Sequence, residues 1–141
     1  MGSLAQLLEA ARARITRLEP HEAFAAAGEG ACLIDIRSDF DRERDGIVPG
    51  SLHIPRTVLE WRVDPSSPWR SDHLDPTAQT VIVLCEHGYS SSLAAAMLVE
   101  LGVARVGDVV GGYEAWVAAG LPTARAPARE PEGLPGTGPP D

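Results

Sequence analysis

The sequence contains no lysine: all 12 of its basic residues are arginine. Schiff-base catalysis, which needs an amine that can lose its proton, is therefore closed to it, as is the phosphate-cradling lysine of a Walker loop. Cysteine is scarce as well, with only Cys32 and Cys85 present. Two thiols in 141 residues do not make the disulfide framework of a small secreted domain, so free thiols are expected. No stretch approaches the roughly 18 apolar residues of a membrane span, and no basic region leads into a hydrophobic block at the N-terminus. The expectation is a cytoplasmic protein with no membrane partner. Cations are outnumbered, the formal charge being -8, and without clustered positive charge nucleic acid is a poor partner. Two cysteines and four histidines show no metal-ligand spacing, so no metal site is expected.

What is present suits one globular domain, since 44% hydrophobic residues in a chain of this length can build a single core. SLAQLLEAARAR starts with Ser3 and Gln6 in capping-box spacing and puts Leu4, Leu7, Leu8 and Ala11 on one face, which predicts a docking N-terminal helix over residues 1–13. ITRL follows as a short strand, PHEAFAAAGEG as a helix, and ACLIDIR as a strand buried on both faces. SDFDRERDG forms a turn or two of solvated helix, VPGSLHIP a brief extended piece, and TVLEW a short helix. TVIVL is the clearest strand and SSSLAAAMLVELG the clearest helix, with serines at its N-terminal cap. ARVGDVV and GGYEAWVAAG supply a last strand and helix. Such alternation predicts an α/β fold in three layers: a mainly parallel central sheet with helices on both faces. The Pro/Gly-rich stretch over residues 125–141 is expected to be a disordered tail. Trp61, Trp69 and Trp116 are expected to pack in the core or partly within it.

Ligands of such folds gather beyond the carboxyl ends of the strands, and Cys85 stands there, joined to the following helix by EHGY alone. A connection this short turns the chain sharply, and Gly88 permits the dihedrals required. Its amides and those of the following serines, together with the positive end of the helix dipole, make a concave anion site that favours thiolate over thiol. Glu86 opposes this, because a carboxylate beside the sulfur disfavours negative charge there unless it points away. Cys32, inside an apolar run with no helix start behind it, is expected to be an inert core thiol. His21, His53 and His73 read as ordinary surface or core histidines, while His87, two positions along the tight turn, faces solvent or an incoming substrate. Position 91, six after the cysteine, holds arginine in C-x5-R phosphatases, where a planar cation forks onto two oxygens; here it is serine.

Four segments, in this order and spacing, resemble the rhodanese family of sulfurtransferases from about residue 15 to residue 122. LIDIR resembles the family's D-x-R strand end, GIVPGSLHIP its G-H-I-P-G-A-x-H-I-P segment, CEHGYSS its active-site loop, and GGYEAWVAAGLP its closing G-G-x-x-A-W-x-x-x-G-x-P helix. The resemblance implies a rhodanese-like domain over residues 14–124. It implies that Cys85 accepts a sulfane sulfur from a small donor, stores it as a persulfide and passes it to a thiol or cyanide-like acceptor, with a thiol protein among the candidate acceptors. No cofactor is implied. Glu86, His87, Gly88, Tyr89, Ser90 and Ser91 would line the substrate site, and Asp35 and Arg37 would support the loop from behind. The six positions from Cys85 to Ser90 match the shorter loop of the sulfurtransferases; phosphatases and arsenate reductases of this fold carry one residue more. Thiosulfate-using members often place basic residues just after the cysteine, whereas here Glu86 and His87 would meet a doubly charged donor, which argues against efficient thiosulfate turnover. Ile47 replaces a common histidine, with a consequence for packing. The alternative to a turning-over enzyme is a sulfur-carrying or docking module with the same fold.

Overall fold

The structure, a computed structural model, describes residues 2–127. In chain order its elements are α1 (Leu4–Ala13), β1 (Thr16–Leu18), α2 (Pro20–Gly28), β2 (Cys32–Asp35), α3 (Asp39–Asp45), β3 (Leu52–His53), a 3-10 turn (Arg56–Val58), α4 (Leu59–Val63), β4 (Val81–Leu84), α5 (Ser90–Glu100), β5 (Val106–Val109) and α6 (Gly112–Ala118). The five strands form one sheet in the order β1-β5-β4-β2-β3, with every pair parallel. Residues of β2, β4 and β5 are all buried, as expected of strands covered on both sides.

Alternation along the strands sorts the core into two layers. Val81, Val83 and Cys85 join Cys32 and Ile34 under Leu59 and Val63 of α4 and Ala94, Ala95 and Leu98 of α5. Ile82 and Leu84 turn the other way and join Ala23 of α2 and Tyr113 and Trp116 of α6. Burying a side chain of this size contributes on the order of 1.5–3 kcal/mol, so a register slip that exchanged the two faces would be strongly opposed. The same register fixes the separation of the cysteines. Cys32 pairs with Val81, four residues before Cys85 on the neighbouring strand, which puts the two thiols about 13 Å apart along the sheet.

Several expectations need correction. The capping box at Ser3 forms, but of the apolar face of α1 only Ala11 is buried, while Leu4 and Leu7 are exposed. The helix meets α5 through its C-terminal end, held by Arg12 to Ser92 and by Arg14 to Glu100, so its first turn is left outside. The serines after the loop do not cap α5: Tyr89 is the N-cap residue, and the hydroxyls of Ser91 and Ser92 go to Asp108. A buried carboxylate in β5 is the stronger acceptor, and it draws them. Trp116 is sealed and Trp69 half-buried, but Trp61 is exposed. Ile47 is buried and itself forms an antiparallel bridge with Ala124. The tail expected over residues 125–141 lies, from residue 128 onward, outside the described residues.

Candidate active site

The chain leaves β4 at Leu84 and enters α5 at Ser90, so Cys85 to Tyr89 must reverse its course over the sheet's carboxyl edge. Gly88 makes this possible. Its φ is +82°, and a Cβ there would stand 2.6 Å from the Gly111 nitrogen and 3.0 Å from the Val109 oxygen. The loop is pinned from the side by the start of α6, where the Tyr113 amide donates to the Cys85 carbonyl at 2.8 Å and the Glu114 amide to that of Glu86 at 3.1 Å. Gly112 allows this approach, since a Cβ on it would lie 2.5 Å from the Cys85 carbonyl oxygen.

Within the turn the Gly88 amide donates to Cys85 Sγ at 3.1 Å and the Ser91 amide at 3.4 Å. Burial pushes the Cys85 thiol up, but the hydroxyls of Ser91 and Ser90 and the amides of Ser91 and Gly88 outweigh it and hold the thiol below its ordinary value. The Ser91 amide also belongs to the first turn of α5, whose dipole adds positive potential. Ser91 has a single hydroxyl proton, and its oxygen lies 2.8 Å from Asp108 Oδ2, so the sulfur and the carboxylate compete for it.

Of the residues expected to line the site, Gly88, Ser90 and Ser91 bear on the sulfur directly. Tyr89 is exposed, with the Arg12 guanidinium 5.5 Å from its ring centroid. His87 Nδ1 stands 2.6 Å from Glu114 Oε2, both side chains largely in solvent. Glu86 is turned toward Arg37, which donates to it at 3.2 Å. Arg37 also forks onto Asp35 at 3.1 and 2.9 Å, donates to the Gly46 carbonyl at 2.8 Å and lies 3.9 Å from the centroid of the Tyr113 ring. Asp35 and Arg37 thus meet the loop through Glu86, and the Glu86 charge is compensated. The expected carboxylate beside an incoming anion carries a cation with it.

Arg12, Arg17, Asp108 and Ser92 also join the loop, and the sequence reading missed them. Asp108 gave a signal, as a charged residue in the otherwise apolar VGDVV, where a buried carboxylate must find partners. The arginines gave none, because 76 and 71 residues separate them from Gly88, the residue they bind. Among the described residues no group of three or more His, Cys, Asp or Glu could hold a metal ion.

Residues 19–119 match the model of the rhodanese-like domain. The chain belongs to the rhodanese-like family. Relatives of this rhodanese-like chain include the thiosulfate sulfurtransferase GlpE of Actinobacillus pleuropneumoniae, 36% identical over 108 residues that cover 76% of this chain and 91% of that protein. Among solved rhodanese-like structures, the polysulfide-sulfur transferase of Wolinella succinogenes aligns with a TM-score of 0.67 at 28% identity, covering 83% of each chain. A Rhodopseudomonas palustris protein described as a possible tyrosine phosphatase aligns with a TM-score of 0.77 at 31% identity, covering 88% of this chain and 96% of that one.

Proposed function

We propose that the chain is a thiosulfate-type sulfurtransferase in which Cys85 is the nucleophile. The observation that carries this is the pair of amides, Gly88 and Ser91, donating to a sulfur at the head of a helix. Anionic sulfur is the state such donors stabilise, and it is the state that attacks. In the first half-reaction the Cys85 thiolate attacks the outer sulfur of the donor. A bond forms between Sγ and that sulfur, the donor's S–S bond breaks, and sulfite leaves with the electron pair when thiosulfate is the donor. The terminal persulfide sulfur then accepts attack by cyanide or a thiolate, thiocyanate or a new persulfide departs, and the pair returns to Sγ as thiolate. Both the resting and the loaded cysteine are anions, so the same donors serve both halves of the cycle.

His87, Tyr89 and the Glu86 backbone form the rim that donor and acceptor cross, and Asp35 and Arg37 keep the loop in shape from behind. The unit performing the chemistry spans residues 14–124, with residues 1–13 as a helical extension against it. A thiol protein is a suitable acceptor besides small thiols. The two free thiols fit a reducing compartment such as the cytoplasm. Phosphate-ester hydrolysis is disfavoured, because Ser91 stands where the phosphatase loop needs a guanidinium and its hydroxyl is directed to Asp108.

Incubation with thiosulfate followed by intact-mass measurement tests the reading. One added sulfur on Cys85, removable by cyanide and lost in Cys85→Ser, supports it. Sulfur on Cys32, or undiminished turnover in Cys85→Ser, refutes it.

A further inference from the structure

Two arginines that precede residue 19, where the family match begins, converge on the active-site loop. Arg12, in the last turn of α1, donates through Nη2 to the Gly88 carbonyl at 2.9 Å and through Nε to Ser92 Oγ at 3.0 Å. Arg17, in β1, donates to the same carbonyl at 2.9 Å and forks onto Asp108 at 3.0 and 3.3 Å. The Asp108 side chain is fully buried, and its Oδ2 also receives Ser91 Oγ at 2.8 Å and Ser92 Oγ at 2.7 Å.

Two consequences follow from elementary chemistry. A carbonyl oxygen held by two charge-assisted hydrogen bonds is fixed in direction, and the turn around Gly88, whose amide points at the sulfur, is fixed with it. A buried carboxylate without a counter-charge would draw the single Ser91 proton to itself, whereas a carboxylate balanced by a guanidinium competes for it less strongly. We propose, given Cys85 as the sulfur-transfer nucleophile, that Arg12 and Arg17 are positioning residues: both hold the Gly88 carbonyl so that the loop amides stay aimed at the sulfur, and Arg17 offsets Asp108 so that the Ser91 hydroxyl can turn to Cys85. The helical extension ahead of the family match then shapes the loop from outside, besides packing against the domain. Of the other titratable groups around the loop, Glu86 pairs with Arg37 and His87 Nδ1 lies against Glu114, which leaves the adjustment to these arginines.

The test is the pH dependence of Cys85 alkylation by iodoacetamide in a Cys32→Ala background, read beside kcat/KM for thiosulfate with cyanide as acceptor. Arg17→Gln is expected to raise the alkylation midpoint by about one pH unit and lower kcat/KM about tenfold. Adding Asp108→Asn to it is expected to recover most of the midpoint, because the competitor for the Ser91 proton loses its charge. Arg12→Gln is expected to lower kcat/KM roughly threefold and raise the midpoint by about half a unit, with partial recovery in Arg12→Lys. Arg14→Gln removes an equal charge from the same helix end, but its arginine is paired with Glu100, and it should change neither quantity.

Midpoints within about 0.3 pH unit and kcat/KM within about twofold of the parent in both Arg12→Gln and Arg17→Gln would overturn the proposal, as would a double variant no closer to the parent than Arg17→Gln alone. Should Arg17→Gln fail to fold, the part-buried Arg12 decides: an unchanged midpoint in Arg12→Gln overturns the proposal. A parent that takes no sulfur onto Cys85 refutes the transfer reading instead, and the alkylation midpoints still judge the arginines.

Discussion

Cys32 and Cys85 lie in the same apolar layer of the core and are almost equally hidden, at 9% and 5% exposed. Their chemistry nonetheless diverges. Burial alone acts on Cys32 and pushes its thiol up to about 11, so at pH 8 about one molecule in a thousand is ionised there. Burial acts on Cys85 too, but the Ser91 and Ser90 hydroxyls and the Ser91 and Gly88 amides reverse its effect. Exposure therefore does not separate the thiol held below its ordinary value from the one pushed above it. What separates them is position along the strand: Cys32 opens β2 among side chains that offer no donors, and Cys85 follows β4 where a turn and a helix start aim amides at it.

The comparison can be broken by exchanging what each site depends on. The largest effect should come from the proposed nucleophile: Cys85→Ser is expected to leave under about 1% of thiosulfate-dependent thiocyanate formation, while Cys32→Ala stays within about twofold of the parent. Next is Gly112→Ala, which puts a methyl group against the Cys85 carbonyl at a residue whose φ is +64°. It is expected to cost about 3 kcal/mol in denaturant unfolding and, if folded, at least roughly tenfold in turnover, because the loop must move away from α6. Ser91→Ala removes one donor and leaves the turn intact. The pH at which Cys85 alkylation reaches half its plateau should rise, with turnover at pH 7 falling about threefold to tenfold. The smallest change is in stability alone: Cys32→Ala should cost about 1 kcal/mol through a small cavity, measurable as an earlier denaturant midpoint at unaltered activity.

Much of the fold was legible because few periodicities fit it. TVIVL is too short and too apolar for anything but a covered strand, and the alanine-rich stretch after it can only be a helix packed closely on the sheet. The position of Cys85 followed from those two elements. What local pattern did not reveal was the direction of polar side chains. The serines after the loop look like helix caps in sequence, and they serve a carboxylate 16 and 17 residues away. Glu86 looks like an obstacle to an anion, and Arg37, 49 residues earlier, compensates it. Leu4 and Leu7 form an apolar stripe on a helix whose contacts are made mainly by its other end. Each of these depends on which strands become neighbours, and Arg17 reaches Asp108 only because β1 pairs with β5.

The most direct test of the central claim is the alkylation rate of each cysteine in the unsubstituted protein as a function of pH, resolved by peptide mass. The account predicts a Cys85 rate whose midpoint lies below that of an ordinary cysteine and a Cys32 rate that stays negligible across the range in which the protein is folded. Equal rates at the two thiols, or a Cys85 midpoint at or above that of an ordinary cysteine, would contradict it.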